Sequence, residues 1–431
     1  MIFENWLYTG LLKIKTKYCS PLDKKINTDC LVIGGGFTGL HAALRLAESG
    51  KKVVLLEKRI CGGSASGRSG GFLTPESEEN LKDLISKVGV KKARIITNIP
   101  IEGIKLILRT IKKYKFDCDL RKQDSLFLSI SKSHDEQILE EAETRKKMNL
   151  PYKVHAKKDL QFIHPGKGYS LGIQYPNSYG INSLAYTQEL KNILLKKRVK
   201  IYEDSEVKKL INNTAVTHLG SVKAKHVLVC IDKMKTEFNQ EVSNKVYHLQ
   251  TYLAVSEPLS KEEVKFIFPK KEMMCWDSKL DYMHYRLIEG NRILLGGSSF
   301  FTSYLPRYYN SPIVINKVIK EFKQHFPSLS HINFTHFWSG LLDVTKDLSP
   351  IADYDPRNKS IQYALGCAGL PWAAFCGDYL ARRIISKNTE DLSSFLGINR
   401  KFFVPDFLHS LFGKPASFAL SHLYSIYKSK K

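Results

Sequence analysis

The residues best suited to chemistry lie near the start of the chain, where Gly34-Gly35-Gly36-Phe37-Thr38-Gly39 spells G-x-G-x-x-G. Gly34 permits a tight turn from strand to helix, Gly36 lets a pyrophosphate approach the backbone, and Gly39 lets the helix pack close to the strand. Phe37 and Thr38 open that helix, whose free N–H groups and positive dipole end suit phosphates. Glu57 stands 23 positions after Gly34. A carboxylate there accepts hydrogen bonds from ribose hydroxyls and repels a 2′-phosphate. Directly after it, Cys61-Gly62-Gly63-Ser64-Ala65-Ser66-Gly67-Arg68-Ser69-Gly70-Gly71 forms a run of small residues. Such a loop can pass close to a flat ring system and offer it backbone N–H groups. Lys58, Ser64, Ser66, Gly67, Arg68 and Ser69 are its candidate contacts.

These residues need a scaffold, and the flanking sequence predicts one. Cys30–Ile33 is a short apolar run suited to a doubly buried strand. Leu40, Ala43, Leu44 and Ala47 recur at helical spacing, Gly50 stops the helix, and Val53–Leu56 reads as a second buried strand. Together they make a βαβ unit. Downstream, amphipathic runs around Leu81–Val88 and Ile101–Tyr114 predict helices, and Ser125–Ile130 predicts a strand. Asn182–Lys197 reads as a helix, and Val199–Tyr202, Ala215–His218 and His226–Ile231 as strands. Glu289-Gly290-Asn291 marks a hairpin tip. The segment Ile361–Ile385 starts as a strand and passes through Gly366 and Gly369 into a helix.

Taken together, the first Gly-rich turn and GGSASGRSGG resemble FAD-dependent oxidoreductases of the D-amino-acid oxidase superfamily. The resemblance is to the branch of glycine oxidase, sarcosine oxidase and gamma-glutamylputrescine oxidoreductase. It extends to Val199–Asp232, Trp276–Gly297, Trp338–Tyr354 and Gly366–Ile384. It implies an α/β fold: a Rossmann-like FAD-binding domain with an inserted α+β substrate domain. The implied FAD-binding domain is discontinuous (24–95, 151–240 and 335–390), the substrate domain comprises 96–150 and 241–334, and 391–431 forms a basic amphipathic tail. Val207 is implied to meet adenine through its backbone, and Gly369 and Leu370 to lie near the flavin. Gly369-Leu370-Pro371 replaces the Gly-His-Gly of several relatives, and Ala373 stands where sarcosine oxidases place a lysine. The positions of the covalent flavin linkages fall near Gly340 and at Arg68, so FAD is expected to be non-covalent.

The resemblance further implies oxidation of a C–N bond in a small amine or amino acid, with hydride passing to the flavin and the imine then hydrolysing. The implied acceptor is oxygen or a quinone. Arg68 is the first catalytic candidate, either stabilising reduced flavin or gripping a carboxylate; anchoring its own loop to carbonyls is the alternative. Tyr282 and Arg286 share one face of a predicted strand, with Tyr285 on the other; they either line a cavity or pack. Lys346 is placed in a loop near the flavin edge, or is an exposed loop lysine. His41 is read as a helix-packing residue. The altered Gly-Leu-Pro motif leaves a non-catalytic or regulatory FAD-binding protein as the alternative function.

Composition sets the outer bounds. The chain has 431 residues, 43% hydrophobic and 25% charged, which excludes a wholly disordered or disulfide-stapled class. Sixty-six Lys and Arg against 42 Asp and Glu give a formal net charge of +24, favouring acidic partners. No nucleic-acid module is present, and no nucleic-acid partner is expected. The eight cysteines form no C-x-x-C, so no metal site is expected and a reducing compartment is the simpler reading. No signal peptide or membrane-spanning run stands out, which predicts a cytoplasmic protein. The tail, with its apolar face and basic ends, could dock on an anionic membrane, pack on the protein or pair subunits.

Overall fold

The computed structural model describes residues 17–400 apart from 77–79, 233, 235–237, 280–281, 300–301, 303–308, 346 and 387, together with Ala416. Strand β1 (Lys25–Ile33) buries its last four residues, helix α1 (Phe37–Glu48) follows the glycine turn, and β2 (Val53–Leu56) pairs parallel to β1 with Cys30 opposite Val53. This is the expected βαβ unit. Around it an eight-stranded sheet forms. Lys200–Tyr202 lies beside β2, Ser221–Val229 beside β1, and Ile361–Leu365 beside Ser221–Val229, all parallel. Buried parallel strands read as unbroken apolar runs because both faces are covered.

A second eight-stranded sheet runs in the order Phe334–Thr345, Val246–Ser256, Arg292–Gly297, His284–Ile288, Met273–Asp277, Asp124–Ser129, Leu171–Tyr175, Lys153–Ala156. Its pairs are antiparallel except Met273–Asp277 with Asp124–Ser129. The hairpin tip falls as expected: Gly290 and Asn291 both have positive φ, and Ile288 faces Arg292. Lys153–Ala156, Leu171–Tyr175 and, from residue 335 on, Phe334–Thr345 fall within the bounds expected for the FAD-binding domain but are strands of the second sheet. Their local pattern marks them as strands, but pairing partners are set by tertiary register, which no local pattern encodes.

Three helices carry the contact between the sheets and the loops. Helix α2 (Ala65–Arg68) is a single turn within the second glycine run. Helix α3 (Leu81–Tyr114) contains both predicted amphipathic runs, broken at Gly89, whose φ of 77° is not helical. The helix Leu370–Ile385 starts at Gly369 (φ 90°) with Pro371 in its first turn. It crosses α1 where a Cβ on Gly377 would lie 2.1 Å from the Thr38 carbonyl oxygen, and α3 where a Cβ on Gly103 would lie 2.0 Å from that of Pro371. Helix α4 (Lys132–Lys147) packs on α3 and the second sheet.

Residues 391–400, expected to begin a separate tail, fold back onto the body. Leu392, Leu396 and Ile398 are buried, and Arg400 grips Asp347 through two 2.8 Å hydrogen bonds. Three apolar residues and a bidentate ion pair outweigh the basic character of the segment. The rest of the tail, 401–431 except Ala416, lies outside the described residues.

Candidate active site

The two glycine runs meet at the edge of the first sheet. The Gly62 amide donates to the Gly35 carbonyl (2.8 Å), the Gly67 amide to the Gly62 carbonyl (2.9 Å), and the Phe37 amide to Ser66 Oγ (3.0 Å). A Cβ on Gly36 would come within 2.9 Å of Ser66 Oγ, and one on Gly39 within 1.9 Å of the Gly34 carbonyl oxygen. The first glycine keeps the seam between the loops open and the second brings α1 against the strand. Glu57 accepts from the Gly35 amide (2.7 Å, Oε2) and the Arg59 amide (3.0 Å, Oε1). Burial raises its pKa above the ordinary glutamate value, against those two hydrogen bonds. Its remaining lone pairs are available to further donors.

A buried residue that sequence reasoning missed holds the second loop in place. Glu203 accepts from the amides of Cys61 (2.7 Å) and Cys19 (2.9 Å) and pairs with Lys191 Nζ at 2.7 Å. Both side chains of that pair are almost wholly buried. The signal was a lysine among the buried positions of the helix Ser183–Lys196, which alone does not name its partner.

One cavity of about 1150 Å³ runs from these loops to the second sheet. Its wall includes Gly34, Gly36, Phe37, Thr38, Glu57, Lys58, Ser64, Ser66, Arg68, Ser69, Val207, Gly369, Leu370 and Tyr282. Gly39 and Gly67 are not on that wall; they pack the loops from behind. Arg68 gives Nε to the Ser339 carbonyl (2.7 Å), while its own carbonyl accepts from Trp338 Nε1 (3.0 Å). It therefore ties the loop to the strand Phe334–Thr345 beside Gly340 while lining the cavity. Lys346 lies outside the described residues; its neighbour Asp347 is on the wall and is held by Arg400.

Arg286 requires a correction. It is fully buried and absent from the cavity wall. Its Nε donates to the Gly70 carbonyl (2.7 Å), Nη2 to Ile181 (2.6 Å) and Nη1 to Leu287 (3.2 Å). Desolvation lowers its pKa to about 10. Its chemistry is that of a positioning residue for the second glycine run. Alternation does put Arg286 and position 284 on one face, but Tyr282 precedes the strand and is 39% exposed. The cavity-lining member of the strand is His284, whose ring meets Phe72 edge-on at 5.4 Å and which burial keeps neutral by lowering its pKa to about 4. His41 does not line the cavity. It packs on Phe37 and bonds Tyr186 Oη at 3.0 Å.

Among the described residues, one group of three could approach a metal: Asp277, Glu321 and His325, with the Lys279 ammonium already in contact with Glu321. All eight cysteines are free thiols, and among the described residues no helix is long and apolar enough to cross a membrane.

Comparison with known proteins decides the family. The family described as FAD dependent oxidoreductase (DAO) matches residues 29–383. The chain belongs to this DAO family. The oxidoreductase is 28% identical over 389 residues to the probable oxidoreductase OrdL of Haemophilus influenzae, covering 88% of this chain and 87% of that one. It is also 28% identical over 362 residues to the gamma-glutamylputrescine oxidoreductase of Escherichia coli, covering 81% of each. Among solved structures, glycine oxidase from Geobacillus kaustophilus superposes with a TM-score of 0.76 at 15% identity, over 88% of this chain and all of that one. This DAO oxidoreductase thus has a Rossmann-like α/β fold and FAD as its cofactor. The observed seam fits that group. Its glycines leave no room for side chains, and Glu57 ends β2 on the cavity wall. Glycine stands at position 340 and arginine at 68, neither of which offers a thiol or imidazole for covalent attachment there.

Proposed function

We propose that this oxidoreductase oxidises the C–N bond of an amine or amino acid, with gamma-glutamylputrescine-like conjugates as the finer choice of substrate. The supporting observation is that a single cavity joins the FAD loops to a chamber under the second sheet. Gly34, Gly36, Phe37 and Thr38 would take the pyrophosphate, Glu57 the ribose and Val207 the adenine. Lys58, Ser64, Ser66, Arg68 and Ser69 would line the path to the ring, with Gly369 and Leu370 at its edge. Gly39 and Gly67 would act through packing. Bound FAD supplies a two-electron acceptor.

The substrate must arrive as a neutral amine, and partial burial favours that form. Bound FAD would supply the acceptor for the hydride of the amine-bearing carbon, and the protonated imine so left by the substrate would be hydrolysed by water to a carbonyl compound and an ammonium ion. Arg68, fixed by Ser339, would stabilise negative charge on the reduced ring or hold a substrate carboxylate. Tyr282 would close the substrate side, and Lys346 would serve the re-oxidation by oxygen or a quinone. The basic C-terminal tail would suit docking on an anionic membrane if the acceptor is a quinone.

The test is anaerobic bleaching of the flavin-loaded protein by a panel of amines and amino acids. Bleaching by polyamine conjugates but not by small amino acids supports the finer choice. A fully flavinated sample that no amine reduces overturns the reading.

A further inference from the structure

Ser125, Phe127, Trp276 and Tyr175 share one face of the second sheet. Ser125 and Phe127 are two residues apart on one strand, Phe127 lies opposite Trp276 on one neighbour, and Ser125 lies opposite Tyr175 on the other. Four strands lie between the strand of Ser125 and Phe127 and that of Gly340. Here Ser125 Oγ donates to Glu76 Oε1 at 2.8 Å. Both Glu141 oxygens have partners: Oε1 takes Arg145 Nε at 2.7 Å and Oε2 the Leu81 amide at 3.2 Å. Arg145 lies 4.1 Å over the Tyr175 ring. Glu76, Glu141, Arg145, Phe127, Tyr175 and Trp276 all line the same cavity.

Arg145 gives its Nε to Glu141, and its charge also acts on Glu76, whose Oε1 is held by Ser125. Glu76 Oε2 is closed off from solvent and has no hydrogen-bond partner among the described residues. A buried acceptor without a donor is costly, so such groups are rare unless a ligand or an ordered water completes them. The missing partner must be a donor and preferably a cation. The rings of Phe127 and Trp276, with centroids 6.3 Å apart, would also attract a cation.

We propose that Glu76 is a specificity-determining residue that binds a second, protonated amino group of the substrate, remote from the C–N bond being oxidised. The substrate class is then an amine with an ammonium at its far end, either the other nitrogen of a diamine or the α-ammonium of an aminoacyl conjugate. This rests on the amine-oxidoreductase reading above and adds a requirement to it.

The test uses the FAD-loaded full chain, wild type and Glu76→Gln, matched for flavin content and thermal midpoint. The reducing probes are octylamine, 1,8-diaminooctane and N-γ-glutamyl-1,4-diaminobutane. At least one ammonium-bearing probe is expected to show KM about 10- to 150-fold below octylamine, the range of a charge-assisted hydrogen bond. Glu76→Gln is expected to erase that difference with kcat within about two-fold. Preference for the diamine or for the conjugate identifies which ammonium is read. An equal KM for octylamine and both other probes, or an unchanged KM in a flavinated Glu76→Gln, overturns the proposal. If no amine bleaches the flavin, the amine-oxidoreductase reading has failed. Calorimetric binding of mono-N-acetyl-1,8-diaminooctane then decides the role of Glu76: binding lost in Glu76→Gln upholds it, and binding absent or unchanged refutes it.

Discussion

At the scale of the residue, two charged side chains separate cofactor binding from loop positioning. Glu57 spends two acceptor sites on the Gly35 and Arg59 amides and keeps others toward the cavity. Glu57→Gln removes the charge and is expected to weaken FAD about 10- to 150-fold, read by equilibrium dialysis, with a smaller effect on the flavin-free fold. Arg286 answers to the opposite criterion. Its removal leaves the Gly70 and Ile181 carbonyls without their donor, at about 1–3 kcal/mol each if nothing replaces it. Arg286→Met is therefore expected to lower the urea midpoint and loosen FAD. If kcat fell while stability and flavin content held, Arg286 would be acting on the reacting atoms instead.

At the scale of the element, function depends on how closely three helices approach. The helix Leu370–Ile385 reaches the cavity at its N-terminus and crosses α1 at Gly377. A valine there must push against the Thr38 backbone, within the Gly34–Gly39 phosphate motif itself. Gly377→Val is expected to destabilise the protein by about 1–3 kcal/mol, the usual cost of overpacking. It should also reduce FAD affinity in the fraction that folds; a variant with unchanged midpoint and affinity would show that the crossing can relax. The same elements show what the chain alone could reveal. The βαβ unit, the Glu57 strand end and the Gly290-Asn291 hairpin were legible because each rests on local spacing and backbone preference. The strand at 153–156 was not anticipated in the second sheet, because partner choice is a long-range property. Arg286 was misread for a related reason: alternation gives the face of a strand, but not whether a glycine loop covers that face. Glu76 left no local signal and Glu203 only the partner lysine of its helix, since each acts on groups more than 45 positions away in at least one contact.

At the scale of the whole molecule, two buried histidines in different bodies make stability depend on pH. His41, on α1, stacks on Tyr186 beside the first sheet, while His164 sits among Tyr169, Tyr285 and Phe326 under the second. Burial lowers both from the ordinary value of 6.5 to about 3. Between those values the unfolded chain takes up a proton that the folded chain refuses. Each histidine therefore contributes stability that is complete above pH 6.5 and is lost as pH falls toward 3, by about 1.4 kcal/mol per pH unit. Glu57 and Glu76, raised by burial, act in the opposite sense, so the informative quantity is the difference between wild type and variant. His41→Gln and His164→Gln are each expected to flatten the dependence of unfolding free energy on pH between 6 and 4.5 by about that amount. Urea titrations across that range measure it. If the two sheets unfold as one unit, both variants alter the same single transition, because protonation anywhere in a cooperative unit counts against the whole. Two transitions, one sensitive only to His41 and the other only to His164, would mean that the FAD loops and the chamber at Glu76 belong to separately folding bodies despite the Arg68 and Arg286 bridges between them.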